Sequence, residues 1–211
     1  MEMNGGVYLV IDLHMAQDLL LEKLESALRG GLAAVQIWDG VEFDEDMIGR
    51  VREISALCAT HGVPCLINNR WELIDRCGLQ GVHFDGLPAD WPRIKSQVKK
   101  APLCGITCTN SIAPLQWAID HRAGYISFCA MFPSASAGSC EIVMPESVKR
   151  ARAMTAIPLF VSGGITPENT RQLRSKLDFD GVAVISGIMN ATDPEACVRS
   201  YRRALHQTEK P

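Results

Sequence analysis

From Val7 to Leu205 the chain repeats one pattern about eight times: a short apolar run, a turn, then a longer amphipathic run. The apolar runs read as buried strands over 7–11, 33–37, 64–68, 81–84, 103–107, 125–129, 158–161 and 181–185. Between them, apolar residues at helical spacing predict helices over 17–29, 44–60, 71–77, 92–99, 111–121, 145–155, 167–176 and 194–205. Met47, Ile48, Val51, Ile54 and Leu57, for example, share one face of the second helix. Gly30-Gly31 ends the first helix, Ser111 is placed to cap the fifth, and Pro167 opens the seventh. Strand and helix alternating without a break in composition argue for one domain over 1–211, a closed (β/α)₈ barrel. The competing architecture, an open doubly wound sheet, favours a single glycine-rich turn early in the chain. Here the glycine turns come late.

Those late turns are Val161-Ser162-Gly163-Gly164-Ile165-Thr166-Pro167 and Val184-Ile185-Ser186-Gly187-Ile188. Each takes a strand into a helix through small residues, leaving backbone N–H groups bare at a helix start, where the dipole favours an anion. In a (β/α)₈ barrel the loops after strands seven and eight are where phosphate sits. The plainer alternative, that these glycines only make tight turns, is weakened by two such turns in succession.

Chemistry in this architecture belongs at the C-terminal ends of the strands. That rule selects Gln36 and Trp38 after the second strand, and Asn68, Asn69 and Arg70 after the third. It selects His83 and Asp85 after the fourth, Thr107 and Thr109 after the fifth, and Ser134 and Ser136 in the long loop after the sixth. Gly163, Gly164, Ile185, Ser186 and Gly187 complete the set. His83 is the one histidine at a strand end; it can bond a heteroaromatic ligand or act as a base, or be a half-buried imidazole satisfied by a neighbour. Arg70 can take an anion or close an ion pair of its own. Asp12 and Asp85 read as the carboxylates at strand ends, and Trp38 as a flat wall or lid.

A net charge of −3 gives no footprint for nucleic acid. No apolar run is long enough to span a bilayer, and the first residues lack a signal-peptide pattern, so a cytoplasmic protein is expected. The eight cysteines form no C-x-x-C pair and read as free, mostly buried thiols.

The strand ends resemble the thiamine phosphate synthase and thiazole tautomerase family. The resemblance is carried by Val35-Gln36-Ile37, Ile67-Asn68-Asn69-Arg70, Gly81-Val82-His83, Gly105-Ile106-Thr107, Phe132-Pro133-Ser134-Ala135-Ser136, Gly163-Gly164-Ile165 and Val184-Ile185-Ser186-Gly187-Ile188. Each piece is weak; their shared order and spacing are specific. The resemblance implies a (β/α)₈ barrel in which Gln36, His83 and Thr107 line a pyrimidine pocket. It implies that Ser134, Ser136, Gly163, Gly164, Ile185 and Ser186 hold the phosphate of a thiazole or of thiamine phosphate.

The departures are concentrated. The family's Gln-x-Arg-x-Lys reads Gln36-Ile37-Trp38-Asp39-Gly40, so both cations are gone. Its Ile-Asn-Asp-Arg carries Asn69 in place of the aspartate. Pro88 replaces a second metal-binding aspartate, and Ala137 a lysine in the long loop. The residues implied to bind magnesium and diphosphate are therefore changed together, while the phosphate turns stay. Asp85 alone remains near the lost positions, and one carboxylate without neighbouring cations is a poor replacement, so magnesium is expected to bind weakly. The tautomerase branch needs no diphosphate site, but its histidine after the sixth strand reads Ala130 here. Expected, then, is a thiamine biosynthesis protein that binds a phosphorylated thiazole or thiamine phosphate, possible as a homo-oligomer. The alternatives are a non-catalytic binder of a phosphorylated heterocycle and a barrel enzyme for an unrelated phosphorylated substrate.

Overall fold

A computed structural model describes residues 3–133 and 141–206. Eight parallel strands close on themselves in chain order, each paired with the next and the eighth with the first. They are β1 (Gly6–Ile11), β2 (Ala34–Ile37), β3 (Cys65–Asn68), β4 (Gly81–Phe84), β5 (Leu103–Cys108), β6 (Tyr125–Phe128), β7 (Leu159–Ser162) and β8 (Gly181–Val184). The helices are α1 (Gln17–Arg29), α2 (Glu45–Thr60), α3 (Ile74–Cys77), α4 (Trp91–Gln97), α5 (Ala113–His121), α6 (Pro145–Met154), α7 (Pro167–Arg174), α8 (Ser186–Met189) and α9 (Pro194–His206). The closed barrel expected from the strand–helix alternation is what forms; the open sheet is excluded.

Apart from the 71–77 segment the boundaries fall within two residues of the sequence expectation, and the differences have local causes. Ser111 does not cap α5: its hydroxyl accepts from the Ala113 amide at 3.3 Å, two residues on, and the helix starts at Ala113 without a side-chain cap. Asp90 caps α4 by accepting from the Arg93 amide, and Val98 leaves the helix in an extended conformation, so α4 ends before Lys99. The segment expected as one helix over 71–77 opens with a 3₁₀ turn, Trp71–Leu73. The stretch after β8 forms its own one-turn helix, α8, before α9.

Strand residues alternate between two environments. Val7, Leu9, Ile11, Val35, Ile37, Ile67 and Val82 face outward and pack under the helices in one continuous apolar layer. Tyr8, Leu66, Tyr125 and Phe160 fill the barrel interior with Ala34 and Ala183. The three interior aromatic rings meet edge to face with centroids 5.6–5.8 Å apart. Glycines make room for them: a Cβ at Gly105 would lie 2.0 Å from the Tyr125 ring, and one at Gly181 would lie 2.4 Å from Phe160. One step further along five of the strands the inward residue turns polar. Ala34 gives way to Gln36, Leu66 to Asn68, Gly81 to His83, Gly105 to Thr107 and Tyr125 to Ser127. The barrel is therefore apolar at its centre and polar at its C-terminal mouth.

Cys58, Cys65, Cys77, Cys104 and Cys108 are buried free thiols and Cys197 a half-buried one, as expected; Cys140 lies outside the described residues. No helix among the described residues is long and apolar enough to cross a membrane.

Candidate functional site

The polar layer is one connected network. Asn68, fully buried at the end of β3, donates through Nδ2 to Asp39 at 3.0 Å and to Asp85 at 2.6 Å. Its Oδ1 accepts from Gln36 Nε2 at 2.6 Å. Gln36 Oε1 accepts from the Tyr8 hydroxyl, which lies 2.9 Å from the Tyr125 hydroxyl. Tyr125 in turn meets His83 Nδ1 at 2.9 Å, and His83 Nε2 meets Thr107 Oγ1 at 2.9 Å. The His83 and Tyr125 rings also stack, with centroids 5.5 Å apart. Side chains from six strands are thus linked across the barrel, with Thr107 half-buried at one end and the two aspartates at the other.

Burial sets the protonation of this network. It lowers the His83 pKa to about 4, against an opposing pull from the charge of Asp85, so the imidazole is neutral at pH 7. Burial likewise pushes both tyrosine hydroxyls far above their ordinary range, so both keep their protons. Of the two readings open for His83, the satisfied imidazole describes both ring nitrogens, yet Thr107 carries its outer end to the mouth.

Asn69 stands beside Asn68 in a left-handed conformation, φ 52°. Its Nδ2 donates to Asp39 at 3.0 Å and to Asp85 at 3.1 Å, and its Oδ1 accepts from the Asp85 amide. Arg70 does not join this group. It pairs with Glu72 at 2.5 Å and lies over the Phe43 ring at 5.0 Å, so the ion-pair alternative is the one realised. Asp12 accepts from the backbone and ring of His14. Trp38 is 42% exposed at the rim, with its ring over Gly40.

Magnesium takes a near-octahedral oxygen shell, usually from one or two carboxylates plus substrate phosphates. Both oxygens of Asp39 and one of Asp85 already accept from asparagine N–H groups. No group of three His, Cys, Asp or Glu side chains suited to a metal comes together among the described residues. These residues do not fit a magnesium–diphosphate centre.

The two glycine turns lie side by side on the same rim. Met131 and Phe132 donate to the carbonyls of Ser162 and Gly163, and Asn169 Nδ2 donates to the carbonyl of Gly164. Thr166 caps α7 through a reciprocal pair with Asn169. With the turn's carbonyls engaged, none of the described residues accepts from the N–H of Gly163, Gly164, Ser186 or Gly187. Gly163 and Gly164 have φ of 82° and 64°, and a Cβ on either would strike the segment after β6: Ala130 at 2.4 Å or Phe132 at 2.7 Å. Their lack of side chains therefore serves the packing of two loops, and a side chain there would not point into open space. Ser134 and Ser136 lie outside the described residues.

Three site residues escaped the sequence reading. Tyr8 and Tyr125 read only as strand residues, although a buried tyrosine needs a partner for its hydroxyl. Asp39 lies two positions past β2 and reaches the mouth through the path of its loop, a third carboxylate beside the expected Asp12 and Asp85.

The chain is thus a (β/α)₈ barrel with polar groups gathered at its C-terminal mouth, beside two turns after β7 and β8 that are rich in backbone N–H groups. The sequence profile described as Thiamine monophosphate synthase matches residues 7–188, and the chain belongs to that family. A thiamine-phosphate synthase from Acidithiobacillus ferrooxidans is 32% identical over 201 residues, covering 93% of this chain and 92% of its own. One from Marinobacter nauticus is 29% identical over 205 residues, covering 96% and 91%. The solved thiamine phosphate pyrophosphorylase from Pyrococcus furiosus superposes with a TM-score of 0.81 at 20% identity, over 97% of this chain and 96% of that one. The tryptophan synthase alpha chain from Legionella pneumophila shares the barrel at TM-score 0.72 and 16% identity, over 99% and 94%.

Proposed function

We propose that this chain holds a phosphorylated thiazole or thiamine phosphate at the barrel mouth, and that the half of the family's site which handles magnesium and diphosphate is degraded. In this reading the N–H groups around Gly163, Gly164, Ile185, Ser186 and Gly187 take the phosphate. Gln36, His83 and Thr107 line the ring pocket with Asn68 and Asn69. The observation that carries it is the electrostatics of the opposite rim. Asp39 and Asp85 are partnered by neutral amides, and Arg70, which follows Asn69 in the chain, is engaged by Glu72. A departing diphosphate carries several negative charges and leaves fast only where metal and cations receive them. Two carboxylates facing it without such a counter-charge work against departure.

The test is a steady-state assay with saturating pyrimidine diphosphate, thiazole phosphate and magnesium, run beside an intact family member. Calorimetric titrations with thiazole phosphate and with thiamine phosphate accompany it. The expected outcome is measurable binding of a monophosphate with turnover lower by ~10²-fold or more, the usual cost of even one lost charge-stabilising donor. Comparable turnover would overturn the degraded-site reading. Binding of neither monophosphate would overturn the thiazole assignment and leave a barrel for another phosphorylated substrate.

A further inference from the structure

The mouth network has a direction, and the two carboxylates fix it. An ionised carboxylate only accepts hydrogen bonds. Asn68 therefore turns its Nδ2 to Asp39 and Asp85, and its Oδ1 receives Gln36 Nε2. Gln36 is left with Oε1 toward Tyr8, so the Tyr8 hydroxyl must donate. A hydroxyl has one proton. With it committed to Gln36, the Tyr8 oxygen can only accept from Tyr125, and Tyr125, its own proton committed to Tyr8, can only accept from His83 Nδ1. His83 then carries its proton on Nδ1 and presents a bare Nε2, to which Thr107 must donate.

We propose that Tyr8 and Tyr125 are positioning residues, which transmit the polarity set by Asp39 and Asp85 across the barrel and hold His83 as its Nδ1–H tautomer. The consequence reaches the mouth. Thr107 Oγ1 gives its proton to the bond with His83, so any group a ligand sets against that oxygen has to be an N–H or O–H donor. This holds whatever molecule occupies the mouth and does not depend on the thiazole assignment. A neutral imidazole is required for it, and the full burial of His83 supplies one. Both tyrosines keep the protons the relay needs for the same reason.

The experiment is a long-range ¹H–¹⁵N correlation spectrum of the full-length chain at pH 7, with the imidazoles labelled and His83 assigned by its loss in His83→Gln. The expected spectrum shows Nδ1 at a protonated, pyrrole-type shift and Nε2 at a pyridine-type shift. A wild-type His83 protonated on Nε2 overturns the proposal outright. Tyr8→Phe keeps the ring and removes only the relay's hydroxyl; Tyr8 makes no hydrogen bond to His83 and meets it only ring to ring, centroids 6.4 Å apart. Freed from Tyr8, the Tyr125 hydroxyl can turn and donate to Nδ1. The ratio of Nδ1–H to Nε2–H should then fall about tenfold, the worth of one hydrogen bond. An unchanged ratio in folded Tyr8→Phe overturns the relay. If that variant does not fold, Gln36→Met interrupts the chain at the preceding link and is read the same way. If neither folds, the wild-type tautomer decides alone.

Discussion

Lowering the pH should withdraw a defined part of this protein's stability through His83. Its folded pKa of about 4 lies below the value near 6.5 of an unfolded histidine. Between those values the unfolded chain binds a proton that the folded chain refuses, so stability rises with pH across the window. The contribution is complete above about pH 6.5, drains as the pH falls, and is gone below about pH 4. At about 1.4 kcal/mol per pKa unit the whole difference is about 3 kcal/mol. His83 is buried, so solvent screening takes little from that figure. Against a typical domain stability of about 5–15 kcal/mol this is a large share. The assay is urea unfolding at half-unit steps from pH 4 to 8, for the wild type and for His83→Gln. The glutamine of the variant cannot titrate, and the surface carboxylates are common to both chains, so the difference between the two profiles isolates the imidazole. Wild type should lose about 3 kcal/mol more than the variant between pH 7 and pH 4. Parallel profiles over that range would refute the neutral, buried imidazole on which the mouth network depends.

Two substitutions test the packing that builds the site. Gly105→Ala sets a methyl 2.0 Å from the Tyr125 ring, so it should cost about 3 kcal/mol in chemical denaturation and shift the His83 signals through the displaced ring; a loss under about 0.5 kcal/mol, that of an ordinary surface change, would mean that the interior has slack there. Gly164→Val places a branched side chain at φ 64° against Phe132 and Pro133. It should lower Tm by about 5 °C, from about 2 kcal/mol of strain, and weaken phosphate binding by moving the loop; an unchanged Tm and affinity would show that neither packing nor phosphate uses this turn.

The fold was legible because each strand carries its own evidence. A run such as Gly181-Val182-Ala183-Val184-Ile185, apolar on both faces between Asp180 and Ser186, has few alternatives once eight such runs alternate with amphipathic helices. The helix starts were less legible, because a serine can bond the amide two residues on instead of capping, as Ser111 does. The mouth was legible where period two reaches, in Gln36, Asn68, His83 and Thr107. It failed where a residue's place depends on register or on a loop. Tyr8 meets Tyr125 only because β1 and β6, which are not neighbours, both point large residues to the barrel axis at one height. Gly105, beside Tyr125 in the ladder, clears the space for that meeting. Asp39 was invisible for the second reason, since nothing in Trp38-Asp39-Gly40 says which way the chain turns after β2.

That turn changes what the lost family residues mean. Read from sequence, the exchange at position 69 only subtracts a carboxylate, as does Pro88. In the folded chain, carboxylates are present at the mouth after all, at Asp39 and Asp85, and Asn68 and Asn69 are the donors that hold them. What the resemblance leaves unmatched is the positive side of the balance, at Trp38 and Gly40. Two unit charges about 6 Å apart interact by about 3 kcal/mol at an effective dielectric of about 20. A diphosphate entering on this side would meet that repulsion several times over, with neutral amide partners offering no Coulombic return. In the proposed function a monophosphate on the rim of β7 and β8 would meet the backbone N–H groups of the two glycine turns. In the proposed relay the same two aspartates orient Asn68, and through it every proton as far as Thr107. Charge at this mouth therefore acts on hydrogen-bond direction, and in the proposed function anion binding falls to the backbone on the other side.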